Sequence, residues 1–152
     1  MSPTILLVVL VLSLLASVLV ALWIVRTGRN RALARLAEVP GPVRRTTAAT
    51  SLGLASLGKG HVQGTGTLVL TDGEVAFAQW RPDRLVRIPR ADITEVDTAR
   101  SHLEKKMNAD VLRIRWVSGE AAGDDTIALY IRDLDPWLED LGGTRSEPDA
   151  GA

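Results

Sequence analysis

Residues 5–25 read ILLVVLVLSLLASVLVALWIV, twenty-one consecutive positions without a charge, with Ser13, Ser17 and the indole of Trp23 as the only polar side chains. At about 1.5 Å of rise per residue, a helix of this length reaches about 30 Å, the thickness of a bilayer's hydrocarbon core. In lipid every backbone N–H and C=O needs a partner inside the segment, which a continuous helix supplies. The stretch predicts a transmembrane helix over 5–25, preceded by a short tail at 1–4. A cleavable signal peptide is the competing reading. The basic leading region is missing, the apolar run is too long, and no clear small-x-small cleavage site is found.

Arg26, Arg29, Arg31 and Arg35 follow the apolar run, whereas residues 1–4 contain no Lys or Arg. The positive-inside rule then places the C-terminal part in the cytoplasm and the N-terminus outside, with Trp23 at the inner boundary. Trp23, Arg26, Arg29, Arg31 and Arg35 are the expected membrane contacts. Two readings use the same arginines. They are a topology signal that snorkels to lipid headgroups, or they capture anionic lipid at about 1 kcal/mol per basic residue. The first is favoured, because any inward-facing helix end carries such residues. Residues 31–37 (RALARLA) extend the helix by two turns, with Leu33, Leu36 and Ala37 on one side and arginines on the other. Pro40-Gly41-Pro42 then stops it. Residues 26–47 are expected to form a basic juxtamembrane linker.

The formal net charge of zero conceals an uneven layout. Residues 26–45 carry six arginines against one acid, a net of +5, and residues 46–152 carry 12 basic and 17 acidic side chains, a net of −5. An acidic domain argues against nucleic acid as a partner. The absence of cysteine excludes disulfides, thiolate nucleophiles and cysteine metal sites. The 152 residues leave room for one small domain beyond the anchor.

From residue 48 the texture changes to short apolar alternations broken by turns. Residues 48–57 predict a glycine-interrupted strand. Residues 65–71 and 75–80 predict a hairpin around Asp72-Gly73, a dipeptide suited to a type I′ turn because both central residues need positive φ. Short strands follow over 84–88, 92–98, 111–117 and 125–132. Between two of them, Ser101-His102-Leu103-Glu104 matches a capping box and predicts one or two helical turns through Met107. Asp133 or Asp135 is expected to cap a last helix, with Pro136 in its first turn, Trp137 and Leu141 on its apolar stripe, and Gly142-Gly143 ending it. The remainder, 143–152, reads as a disordered tail.

Seven short strands and one C-terminal helix resemble the pleckstrin-homology (PH) superfold, in particular its GRAM-like and bacterial PH-like branch. The resemblance rests on Gly66-Thr67-Leu68-Val69-Leu70-Thr71, Val75-Ala76-Phe77, Leu85-Val86-Arg87-Ile88-Pro89 with Ile93 and Val96, and Trp137-Leu138. It covers residues 48–142, and the layout of anchor and domain resembles small actinobacterial membrane proteins. It implies a mainly-β barrel of two nearly orthogonal sheets, about seven strands, capped by the C-terminal helix. PH-like domains that bind phosphoinositides concentrate Lys and Arg in the first strand and the loop after it. Here residues 57–64 offer only Lys59 and His61, which argues against headgroup binding of that type. Arg84, Arg87, Arg113 and Arg115 read as solvated outer faces.

No catalytic constellation is legible. His61 and His102 lack metal-ligand spacing and read as surface histidines. Asp124-Asp125 and Asp133-x-Asp135 fit turn and cap duties, and the glycine pairs do not open a helix after a strand. No metal, cofactor or catalytic residue is expected. The expectation is a non-enzymatic single-pass membrane protein that presents its domain as an adaptor or scaffold for a protein partner. The alternatives are an anionic-lipid-sensing module and an accessory subunit of a transporter or envelope enzyme. Leu103, Lys105, Lys106 and Met107 are the candidate partner contact, with packing on the domain as the other reading of the same turn.

Overall fold

The computed structural model describes residues 3–58, 63–103, 105–119 and 123–146. The apolar run lies inside one unbroken helix, α1 (Pro3–Leu36), of 34 residues. Nothing at Val25 ends it, because residues 26–36 contain no proline and a single glycine, Gly28, among mostly good helix formers. After six intervening residues, which include Pro40-Gly41-Pro42, the chain enters β1 (Val43–Leu54). The expected linker over 26–47 is therefore mostly helix and the start of a strand, and the β domain begins at Val43 rather than residue 48. A 3-10 turn over Ala55–Leu57 closes β1.

The remaining strands are β2 (Gly64–Thr71), β3 (Glu74–Gln79), β4 (Arg84–Pro89), β5 (Ile93–His102), β6 (Lys105–Ser118) and β7 (Gly123–Ile131). They pair antiparallel in the order β4-β3-β2-β1-β7-β6-β5. The barrel implied by the resemblance is not closed. Its two edges, β4 and β5, do not pair, because Pro89 and a 3-10 turn at Arg90–Asp92 carry the chain away from the sheet. The sheet nevertheless wraps one core. Leu68, Leu70, Phe77 and Ile88 from one half meet Leu112, Ile114, Ile127 and Leu129 from the other. Helix α2 (Asp135–Leu141) adds Trp137 and Leu138 to that cluster. Asp140 secures it, taking a hydrogen bond from Arg45 at 2.7 Å on its carboxylate and one from Arg90 at 2.9 Å on its carbonyl.

Several local expectations change. The β2–β3 hairpin forms around Asp72-Gly73, but neither residue has positive φ. The Thr71 hydroxyl closes the turn instead, accepting from the Glu74 amide at 3.1 Å and donating to the Glu74 carbonyl at 3.2 Å. The capping box at Ser101 does not start a helix. Ser101 and His102 belong to β5, and pairings of His102 with Lys105 and Ser101 with Lys106 make a tight hairpin. The strand ladder outweighs a local cap, and Leu103 carries the turn at φ 49°. Asp133 and Asp135 do not cap α2, whose N-cap is Leu134 without a side-chain bond; Asp135 pairs with Arg145. Gly142 ends it as expected, at a left-handed φ of 67°. Beyond it the chain runs beside β5, with the Thr144 amide on the Val96 carbonyl and the Ser146 amide on the Thr98 hydroxyl.

Candidate membrane-interface site

Two surfaces divide α1. Over residues 5–25 its large apolar side chains other than Ile24 stand open, with Leu10 and Trp23 both 68% exposed. This helix is long and apolar enough to cross a bilayer. Its C-terminal part is covered by the domain. Ala32 and Leu36, with Val39 beyond the helix end, pack on Val69, Ala76 and Ala78, flanked by Trp80 and Leu85.

Period-2 alternation explains the receiving surface. Leu68, Leu70, Val75 and Phe77 point into the core, so Val69, Ala76 and Ala78 point outward, where a solvated face would carry polar groups. All six residues of β3 are buried, because the core covers one face and α1 the other. On α1 the matching residues recur every four positions, at Ile24, Gly28, Ala32 and Leu36, on one helical face. The expected apolar side of 31–37 is displaced accordingly, since Leu33 is 43% exposed and Ala37 is exposed.

The basic residues separate into two groups. Arg35, expected at the lipid surface, is half-buried and pairs with Asp83 at 2.8 Å. Arg26, Arg29 and Arg31 are exposed and make no ion pair among the described residues. Arg31 lines a cleft of about 490 Å³ between α1 and the turn joining β3 to β4. Trp23, Ile24 and Thr27 line its α1 side, and Trp80, Arg81 and Asp83 its domain side. The Trp80 indole is fixed by donating to the Thr67 hydroxyl at 3.1 Å. Sequence reasoning missed Gly28, Trp80, Arg81 and Asp83. The available signals were the outward-facing Val69, Ala76 and Ala78 and the four-residue spacing of Gly28 and Ala32.

The expected partner-contact residues lie elsewhere, on the β5–β6 hairpin. Leu103 is half-buried, Lys106 is exposed, Lys105 pairs with His102, and Met107 packs beside Leu52, Val111 and Ala128. They form no helical face. His102 is buried rather than at the surface, and its Nε2 lies 3.1 Å from the Gly53 carbonyl. That oxygen only accepts, so Nε2 carries the proton. His61 and Lys59 lie outside the described residues. Of the outer-face arginines, Arg87 holds both Glu74 carboxylate oxygens at 2.6 and 2.8 Å, and Arg113 holds Asp97, with its Nε at 2.7 Å. The hydrogen bond to each carboxylate raises the arginine pKa above its ordinary value. A second cleft, of about 750 Å³, opens along the unpaired side of β4, between Leu85 and Val86 and the end of β6 at Trp116 and Val117.

No family model matches the chain, and no curated protein matches it. Two solved structures are similar in fold. One is the hSac2 domain of the human phosphoinositide phosphatase Sac2, at 15% identity and a TM-score of 0.51, covering 91% of this chain and 92% of that one. The other is the C-terminal domain of an unknown protein from Leishmania infantum, at 13% identity and a TM-score of 0.50, covering 73% and 88%. At these identities the likeness is one of fold alone.

Proposed function

We propose that this chain is a non-enzymatic, single-pass membrane protein that holds a PH/GRAM-like module against the cytoplasmic face and presents it to a protein partner. One observation carries the reading. The anchor and the domain share an apolar seam, from Ala32 and Leu36 to Val69, Ala76 and Ala78, so the module is held in one pose. A flexible tether supplies proximity alone, whereas a packed seam also fixes which surface faces outward. The arginines after the apolar run support a cytoplasmic domain. The PH-like reading is supported by the strand order, the single C-terminal helix and the two fold neighbours. The unpaired side of β4, bordered by the second cleft, is suited to an added strand.

Photo-crosslinking from membranes tests the proposal, with a photoreactive residue at Leu57 or Pro89 beside β4 and at exposed Thr46 as a control. A stoichiometric partner crosslinked from the first two positions and not from Thr46 is expected. A monomeric chain without a stoichiometric partner overturns the adaptor reading. Reporter activity outside the cell from a C-terminal fusion overturns the orientation.

A further inference from the structure

We infer that the cleft between α1 and the β3–β4 turn binds one anionic phospholipid of the leaflet at the C-terminal end of the anchor, Arg31 and Arg81 taking its phosphate. The inference rests on α1 spanning the bilayer and does not need the adaptor role.

Depth is the first argument. If 5–25 fill the hydrocarbon core, Thr27 to Arg31 stand about 3 to 9 Å beyond Val25 along the helix. The headgroup layer on each side of a bilayer is about 5–8 Å thick. The cleft therefore opens at the level of the lipid phosphates. Trp23 and Ile24, from the last apolar turn, meet the acyl chains, and indole rings favour that boundary.

Charge is the second argument. Arg31 and Arg81 are exposed, both line the cleft, and neither makes an ion pair among the described residues. Asp83 is the one acid on the lining, and Arg35 neutralises it at 2.8 Å. The walls thus carry two uncompensated guanidinium groups, whose planar forks match phosphate oxygens. The close packing of Gly28 on Trp80 keeps the two walls together, so the backbone positions that carry the two arginines are set side by side before the lipid arrives. Arg26 and Arg29 stand at similar depth but outside the cleft, which separates a site from a basic surface. Inorganic phosphate offers the same chemistry. The apolar wall of Trp23 and Ile24 selects the lipid.

The test uses the full-length protein in phosphatidylcholine nanodiscs containing a minor fraction of phosphatidylglycerol. Lipid retained on the protein is counted by native mass spectrometry. One phosphatidylglycerol per chain is expected. A surface arginine contributes on the order of five-fold to anionic-lipid binding, so Arg31→Ala with Arg81→Ala is expected to lower retention about twenty- to thirty-fold. Arg26→Ala with Arg29→Ala, whose groups stand outside the cleft, is expected to lower it by clearly less than the first double variant. Should the first double variant unfold, Arg31→Ala alone is expected to lose about five-fold. Equal losses in both double variants, or no preference for phosphatidylglycerol, overturn the site. Displacement of the lipid by inorganic phosphate overturns the lipid as its occupant. Extraction of the chain from membranes by alkaline carbonate overturns the spanning helix on which the inference rests.

Discussion

Gly28 lies directly against Trp80: a β-carbon at position 28 would stand 3.1 Å from the Trp80 carbonyl oxygen and 3.5 Å from its Cβ. A glycine in a helix costs about 1 kcal/mol relative to alanine. Here it lets an anchor helix approach a sheet to backbone contact. Gly28→Val puts a branched side chain into that contact, and overpacking of this kind costs about 1–3 kcal/mol. The seam is expected to loosen while the sheet stays folded. Because the chain has no cysteine, single cysteines at Ala37 and Asp72 accept spin labels cleanly. Pulsed electron resonance should give one narrow distance in the parent and a broadened one in Gly28→Val. An unchanged distribution would show that the approach at Gly28 does not hold the seam.

Truncation tests the same seam from the other side. A fragment starting at residue 46 loses the first residues of β1 and uncovers Val69, Ala76 and Ala78. A fragment starting at residue 27 keeps Ala32, Leu36 and Val39 in place. Burying Leu and Val side chains stabilises by about 1.5–3 kcal/mol each. The shorter fragment is therefore expected to be less stable by on the order of 4 kcal/mol, and to self-associate through the uncovered patch. Urea unfolding and light scattering measure both. Equal stability of the two fragments would mean that the helix end is not part of the domain.

The ion pairs on the outer face are unequal. The Asp97 side chain is 8% exposed and is held by Arg113, whereas Arg100, 63% exposed, pairs with Asp110. Arg113→Ala strands a buried carboxylate and is expected to cost on the order of 3 kcal/mol. Arg100→Ala is expected to cost less than about 1 kcal/mol. Since the folded pKa of Arg113 is raised, its contribution is fully present below the ordinary arginine pKa. It is lost only as pH rises through the folded value. The Arg113 advantage should therefore persist across neutral and mildly alkaline pH in urea unfolding, and a loss there would contradict the pairing.

Leu103 takes a left-handed conformation at φ 49°, which costs a residue with a β-carbon about 1–2 kcal/mol. Asparagine tolerates that region. Leu103→Asn is expected to raise stability by about 0.5–1 kcal/mol, read as a higher thermal midpoint. A drop would mean that the half-buried leucine side chain contributes more by packing than its backbone costs.

Local chemistry was legible wherever it acted alone. The alternations of β2, β6 and β7 and the glycine at the end of α2 follow from period and φ preference, and the hairpin at Asp72-Gly73 was legible in place but not in turn type, because neither residue has positive φ. The helix expected after Ser101 was not legible correctly. A capping box is a contact within four residues, and the pairing of β5 with β6 engages the same backbone groups over a longer ladder. The cleft was the least legible feature. Arg31 and Arg81 are fifty residues apart, and only the docking of α1 on β2 and β3 brings them to opposite walls of one cleft.

The sequence by itself determined that residues 5–25 form a helix able to cross a membrane, because an uncharged run of that length satisfies its own backbone and its own surface in lipid. It also determined seven strands and a final helix in their order, although β1 and β6 begin five and six residues before the alternations expected from 48 and 111. Only the tertiary structure decided that the end of this helix, already legible as helical up to residue 37, packs on the sheet and becomes part of the domain. That outcome depends on Val69, Ala76 and Ala78 facing outward, small enough for Gly28 and Ala32 to approach, and on Asp83 standing where Arg35 reaches it. These are relations between surfaces distant in the chain, and they exist only once the sheet has set which side chains point out.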